Sequence, residues 1–169
     1  MKMRIPTNKE YDKLVKVTGG ADEKMHWVDM FSLVNDAEDE YNIPASTRAV
    51  RGCHSARHWN YHHATYRSVT VGFRPAVELD PASLPSGIKE GDPLVIGTLY
   101  MNGAPVHVPE NPVWNGDIET FVPDSSLELR VALKDTKYQM TGIYIGDGVV
   151  VADRVMLKYI SYQDLEYPD

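Results

Sequence analysis

The stretch from Arg48 to Leu79, RAVRGCHSARHWNYHHATYRSVTVGFRPAVEL, sets the tightest limits on this chain. It holds the single cysteine, Cys53, and four of the six histidines: His54, His58, His62 and His63. Trp59, Tyr61 and Tyr66 lie among them, and the stretch closes on Val69, Val71 and Phe73. Alternation with period two puts those last three side chains on one face of a strand. The residues ahead of the stretch read as a scaffold leading in, and those beyond Asp80 read as a separate attachment.

Thr7-Asn8-Lys9-Glu10 fits a capping box, with Thr7 capping a helix and Glu10 reaching back. Tyr11, Leu14, Val15 and Thr18 then fall on one helical face, and Gly19-Gly20 stops the helix. Trp27, Met30, Phe31 and Val34 have helical spacing that a short strand and turn fits equally well. Asn35 to Asn42, with Asp36, Glu38, Asp39 and Glu40, reads as an exposed acidic loop. It lacks the central glycine of a calcium-binding loop.

From Asp80 to Pro93 the composition turns to DPASLPSGIKEGDP, the chemistry of a linker or long surface loop. Beyond it the chain reads as β-structure. Leu94 to Tyr100 is an apolar strand, Asn102-Gly103 a hairpin turn, and Pro105 to Val108 the return. Pro109 to Pro123 is a proline-rich loop pinned by Trp114 and Phe121. Leu127, Leu129, Val131 and Leu133 alternate strictly, which predicts one buried face. Tyr138 to Ile145 and Val149 to Tyr159 pair around Gly146-Asp147-Gly148, and Ser161 to Asp164 caps a last turn. The expected fold is α+β: a domain over residues 1–80, a linker over 81–93, and a small antiparallel β-domain over 94–169.

Charge narrows the function. The formal charge is −7, from 24 acidic and 17 basic residues, so the chain does not coat nucleic acid by neutralising phosphates. An acidic surface favours basic partners, including proteins whose grooves bind nucleic acid. One cysteine makes no internal disulfide. The N-terminus has no apolar core behind its positive charges, and no apolar run is long enough to span a bilayer. The expectation is a soluble, cytoplasmic protein with no membrane contact.

Arg4-Ile5-Pro6-Thr7 followed by Glu10-Tyr11-Asp12, then Arg51-Gly52, Ser55-Ala56, Trp59, Ala64, Arg67 and Gly72-Phe73-Arg74, resembles the formylglycine-generating enzymes and their C-type-lectin-like relatives. The likeness covers residues 1–79 in shortened form. It implies that Trp59 packs in the core and that the loop around it is a variable recognition surface. The oxidase members of that family use a cysteine pair just ahead of the final Gly-Phe-Arg, and none stands ahead of Gly72 here. The resemblance therefore implies the fold without the oxidase reaction. It extends to small proteins of phages and integrative elements of gut bacteria, whose cargo includes inhibitors of CRISPR nucleases.

Two constellations could carry chemistry. Cys53, His54, His58, His62 and His63 offer thiolate and imidazole, the ligands zinc prefers, within one loop, with His26 or His107 as remote partners. A structural zinc would clip that loop; without metal these are ordinary loop histidines beside a small buried thiol. Arg51, Arg57, Trp59, Tyr61, Tyr66 and Arg67 are residue types that carry interface energy. The expected function is a non-catalytic protein-binding module, in its most concrete form an anti-CRISPR inhibitor docking on a Cas9-type nuclease. The alternatives are a metal-dependent hydrolase built on Cys53 to His63 and a virion or surface adhesin.

Overall fold

Thr7 caps helix α1 (Asn8–Thr18) as its sequence requires. Its hydroxyl accepts from the Glu10 N–H at 3.2 Å, and Glu10 accepts from the Thr7 N–H at 2.9 Å. Arg4 closes on the same carboxylate through two hydrogen bonds of 2.6 and 2.8 Å. Gly19 ends the helix at φ 69°, a left-handed conformation that costs glycine little. Tyr11, Leu14, Val15 and Thr18 are all buried, as the helical spacing predicts.

The computed structural model describes residues 2–20, 22–27, 29–35 and 47–165. The acidic loop expected over Asn35 to Asn42 lies, from Asp36 onward, outside the described residues, as does Ile43-Pro44-Ala45 after it. A short helix, α2 (Asp22–Met25), follows α1. The strands, in chain order, begin with β1 (Lys2–Arg4), β2 (Phe31–Leu33), β3 (Thr47–Gly52) and β4 (Trp59–His63). Then come β5 (Val71–Phe73), β6 (Ala76–Glu78), β7 (Pro93–Met101), β8 (Ala104–Pro105) and β9 (Glu119–Thr120). The last four are β10 (Leu127–Arg130), β11 (Met140–Gly146), β12 (Val149–Ala152) and β13 (Leu157–Lys158). The architecture is mostly β with one long helix among the described residues, which is compatible with the α+β class.

Two sheets result. The first runs β1-β6-β12-β11-β7-β10, antiparallel throughout, with β8 folded back on β7. The second runs β4-β3-β2-β5-β13-β9, with β2 parallel to β5 and β9 parallel to β13. Asn102 and Gly103, at φ 52° and 80°, make the β7–β8 hairpin that their dipeptide predicts. The Gly146-Asp147-Gly148 turn joins β11 to β12 with a bulge at Gly146.

The division into domains 1–80 and 94–169 is corrected by the strand pairing. β6 pairs with β12 through Ala76 opposite Val151 and Val77 opposite Val150. β5 pairs with β13 through Phe73 opposite Leu157. Both sheets thus contain strands from either side of residues 81–93, and that segment is a loop within one strand network. The Pro, Gly and Asp chemistry that reads as a linker is here that of a surface connection. It opens on a turn, Pro81–Ser83, capped by the Asp80 carboxylate, and Gly91 donates to the Tyr144 carbonyl at 2.8 Å. The alternation predicted over Leu127 to Leu133 also breaks early. β10 stops at Arg130, and Val131 is 84% exposed.

One part of the core gathers Phe73, Leu99, Met140, Val150 and Leu157. A second lies under α1, where Tyr11, Leu14 and Val15 meet Trp27, Val34 and Ala49 on one side. On the other they meet Ile143, Ile145 and Val151 of the first sheet. The Tyr11 hydroxyl donates to the Leu33 carbonyl at 2.9 Å, and burial pushes that phenol's pKa up. α1 therefore spans the seam between the sheets. Arg74, fully buried, donates to Ser32 Oγ at 3.0 Å, the Ala152 carbonyl at 3.3 Å and the His26 carbonyl at 3.1 Å. Its guanidinium lies 4.4 Å from the Trp27 ring centroid, so a cation–π contact joins the hydrogen bonds in holding the charge. Among the described residues no helix is long and apolar enough to cross a membrane.

Candidate functional site

The β3–β4 hairpin carries the candidate residues, and its turn explains their placement. Gly52 and Cys53 take φ 109° and 72°. The Cys53 N–H is shared between the Trp27 and Met30 carbonyls at 2.9 and 2.8 Å, and the Gly52 N–H donates to the His58 carbonyl at 2.8 Å. A Cβ on Gly52 would sit 2.8 Å from the Met30 carbonyl oxygen, so the chain passes there only as glycine. This pinned turn sends β4 out along the edge of the second sheet. Arg51 faces Trp59, Ala49 faces Tyr61 and Thr47 faces His63, which sets Trp59, Tyr61 and His63 on one face and Asn60 and His62 on the other.

Trp59 is 39% exposed and Tyr61 is 47% exposed, so the expectation of a core tryptophan is corrected. β4 has no strand outside it among the described residues to bury that ring. Arg51 is corrected in the opposite sense. It is 5% exposed, donating from Nε to the Ala56 carbonyl at 2.7 Å and from Nη1 to Asn8 Oδ1 at 3.0 Å and Asp12 Oδ1 at 2.7 Å. It is a strut between β3 and α1. Around it lies a cleft of about 350 Å³ lined by Asn8, Asp12, Val15 and Lys16 of α1 and by Arg51, Arg57 and Trp59.

Across the sheet, Phe31 is ringed by imidazoles. Its ring centroid lies 6.4 Å from His54, 5.9 Å from His58 and 6.2 Å from His62. His54 and His58 meet edge to face at 4.7 Å, and His62 stacks on Tyr66 at 4.3 Å. Burial holds the His62 pKa below the usual imidazole range. Burial, and then the charge of Asp29, pushes the Cys53 thiol up, which disfavours thiolate. His63 instead pairs its Nδ1 with the Thr65 hydroxyl at 2.7 Å. Among the described residues no three His, Cys, Asp or Glu side chains gather as a metal-binding group. Phe31 is what His54, His58 and His62 share.

Of the expected docking residues, Arg57, Trp59, Tyr61 and Tyr66 are exposed, while Arg51 is internal. Arg67 turns to Asp164, with hydrogen bonds of 2.9 and 2.5 Å. Burial works to raise the Asp164 pKa, but the hydrogen bonds from Arg67 and Ser161 outweigh it and the net shift is downward.

The residues that sequence reasoning missed are Asn8, Asp12 and Lys16, together with Phe31. The first three stand four positions apart, so one helical face presents them together. A second signal was also readable: Thr47 to Val77 contains arginines and histidines and no acidic residue, in a chain of net charge −7. No protein-family model, curated protein or solved structure matches this chain.

Proposed function

We propose that the protein is a non-catalytic protein-binding module that docks through β4 and its flank. The observation that carries this reading is the edge strand itself. Trp59 and Tyr61 are exposed on β4, Tyr66 is 42% exposed beside it, and the hairpin behind them is pinned at Gly52 and Cys53. Exposed aromatics on a preorganised element give contact area at small entropic cost, and a sheet edge adds main-chain donors and acceptors. The resemblance to a shortened C-type-lectin/formylglycine-enzyme-like fold from mobile elements supports it, since loops at this position vary for recognition there.

The most concrete partner is a Cas9-type nuclease, which would make the protein an anti-CRISPR inhibitor. Charge divides the labour in that complex. The β4 flank carries Arg57 and Lys16, so a basic nuclease groove would face the acidic remainder of the chain, and β4 would meet an apolar or acidic part. The test is interferometry with the full chain and purified nuclease. Micromolar or tighter binding that Trp59→Ala with Tyr61→Ala weakens by about tenfold or more supports the reading. No binding at micromolar concentration overturns the nuclease, and unchanged binding by the double variant overturns the patch.

A further inference from the structure

We infer that the cleft between α1 and β4 binds a small anion carried on a flat ring. Three cationic side chains, Lys16, Arg51 and Arg57, line it, and the one carboxylate that lines it among the described residues, Asp12, is held by Arg51 at 2.7 Å. Lys16 and Arg57 have no ion pair among the described residues. Among the described residues the lining is therefore net positive, on a protein whose formal charge is −7. Solubility does not require that, and dispersed lysines would serve it as well.

The buried arginine supplies direction. Arg51 Nε and Nη1 are satisfied by Ala56, Asn8 and Asp12, while Nη2 has no acceptor among the described residues. A guanidinium does not deprotonate, so the Nη2 N–H groups of this side chain, which lines the cleft and is fixed at both β3 and α1, are donors held in place. The surrounding protein has already met the cost of ordering them. Trp59 stands directly opposite Arg51 in the strand register, which puts its partly exposed ring beside those donors. The exposed part of that indole offers a surface to a flat ring, and the neighbouring cations fix an anion at that ring's edge. The volume, about 350 Å³, is that of a small-molecule cleft.

Phosphate on a nucleoside and carboxylate on an aromatic acid share this chemistry, and the test separates them. The full-length protein is titrated by calorimetry and by NMR of the Trp59 indole N–H. The probes are adenosine 5′-monophosphate, N-acetylphenylalanine, adenosine and inorganic phosphate. A ring-bearing anion should bind about tenfold or more tightly than adenosine or phosphate alone, with the indole resonance moving. Lys16→Gln with Arg57→Gln, both surface changes, should weaken it about tenfold without shifting the melting temperature. Trp59→Ala should abolish it and Trp59→Phe should keep it. Which anion binds assigns its source. The inference is overturned if neither ring-bearing anion binds, if phosphate alone binds as well, or if the charge variant binds as the parent does. Partner capture on β4 is read separately, so either proposal can fail without the other.

Discussion

Arg67 grips Asp164 across 97 positions of sequence, Nε to Oδ2 at 2.9 Å and Nη2 to Oδ1 at 2.5 Å. The same carboxylate accepts from the Ser161 N–H at 2.8 Å and the Ser161 hydroxyl at 3.0 Å, so it organises the turn Gln163–Leu165 from within. Because the folded pKa of Asp164 is depressed, its contribution is fully present above the unfolded value, near 3.9. It is lost as pH falls through the folded pKa. Asp164→Asn should therefore cost about 1–2 kcal/mol at pH 7 and flatten the acid limb of stability below about pH 4. Urea unfolding of parent and variant between pH 2 and 7 checks both; an identical acid limb would exclude this carboxylate as its source.

Gly72 is a steric requirement. A Cβ there would sit 2.2 Å from Val155 Cγ1 and 2.5 Å from the Leu157 carbonyl oxygen, where β5 meets β13. Backbone on one side leaves little room to yield, so Gly72→Ala should destabilise by about 3 kcal/mol. Chemical denaturation measures it, and a loss under about 1 kcal/mol would mean that β13 is seated less closely than described.

The imidazoles around Phe31 predict how the protein responds to chelators. His54, His58 and His62 make ring contacts with Phe31, and burial pushes the Cys53 thiol up, an arrangement that favours a loop whose stability does not depend on metal. The melting temperature in excess EDTA should stay within about 1 °C of that without it. A larger fall, with near-stoichiometric zinc by elemental analysis, would establish Cys53, His54, His58, His62 and His63 as a structural metal site.

Local chemistry was the legible part of the fold. The capping box at Thr7 and Glu10, the Asn102-Gly103 hairpin and the Gly146-Asp147-Gly148 turn each depend on residues a few positions apart. The sheet order was not legible, because β6 with β12 and β5 with β13 are long-range pairings that leave no mark on periodicity. The 81–93 stretch misled for a related reason, since loops within a domain and linkers between domains use the same residues. At the site, Arg51 reads as a surface residue until Asn8, Asp12 and the Ala56 carbonyl are seen to satisfy it. Arg74 is buried as well, its guanidinium donating to Ser32, Ala152 and His26. The resemblance puts Trp59 in the core, whereas its strand is the last of its sheet among the described residues.

The interleaving of the sheets also governs how the molecule is made. β6 waits for β12 and β5 waits for β13, so a chain emerging from the ribosome holds both strand edges open until residues 149–158 have been synthesised. Folding then closes both sheets late and together, with α1 settling over a seam whose second wall arrives last. A product cut short at residue 93 would not be half a protein with half its stability. It would be two partial sheets, β1-β6 and β4-β3-β2-β5, with the open edges of β6 and β5 as templates on which further strands can add.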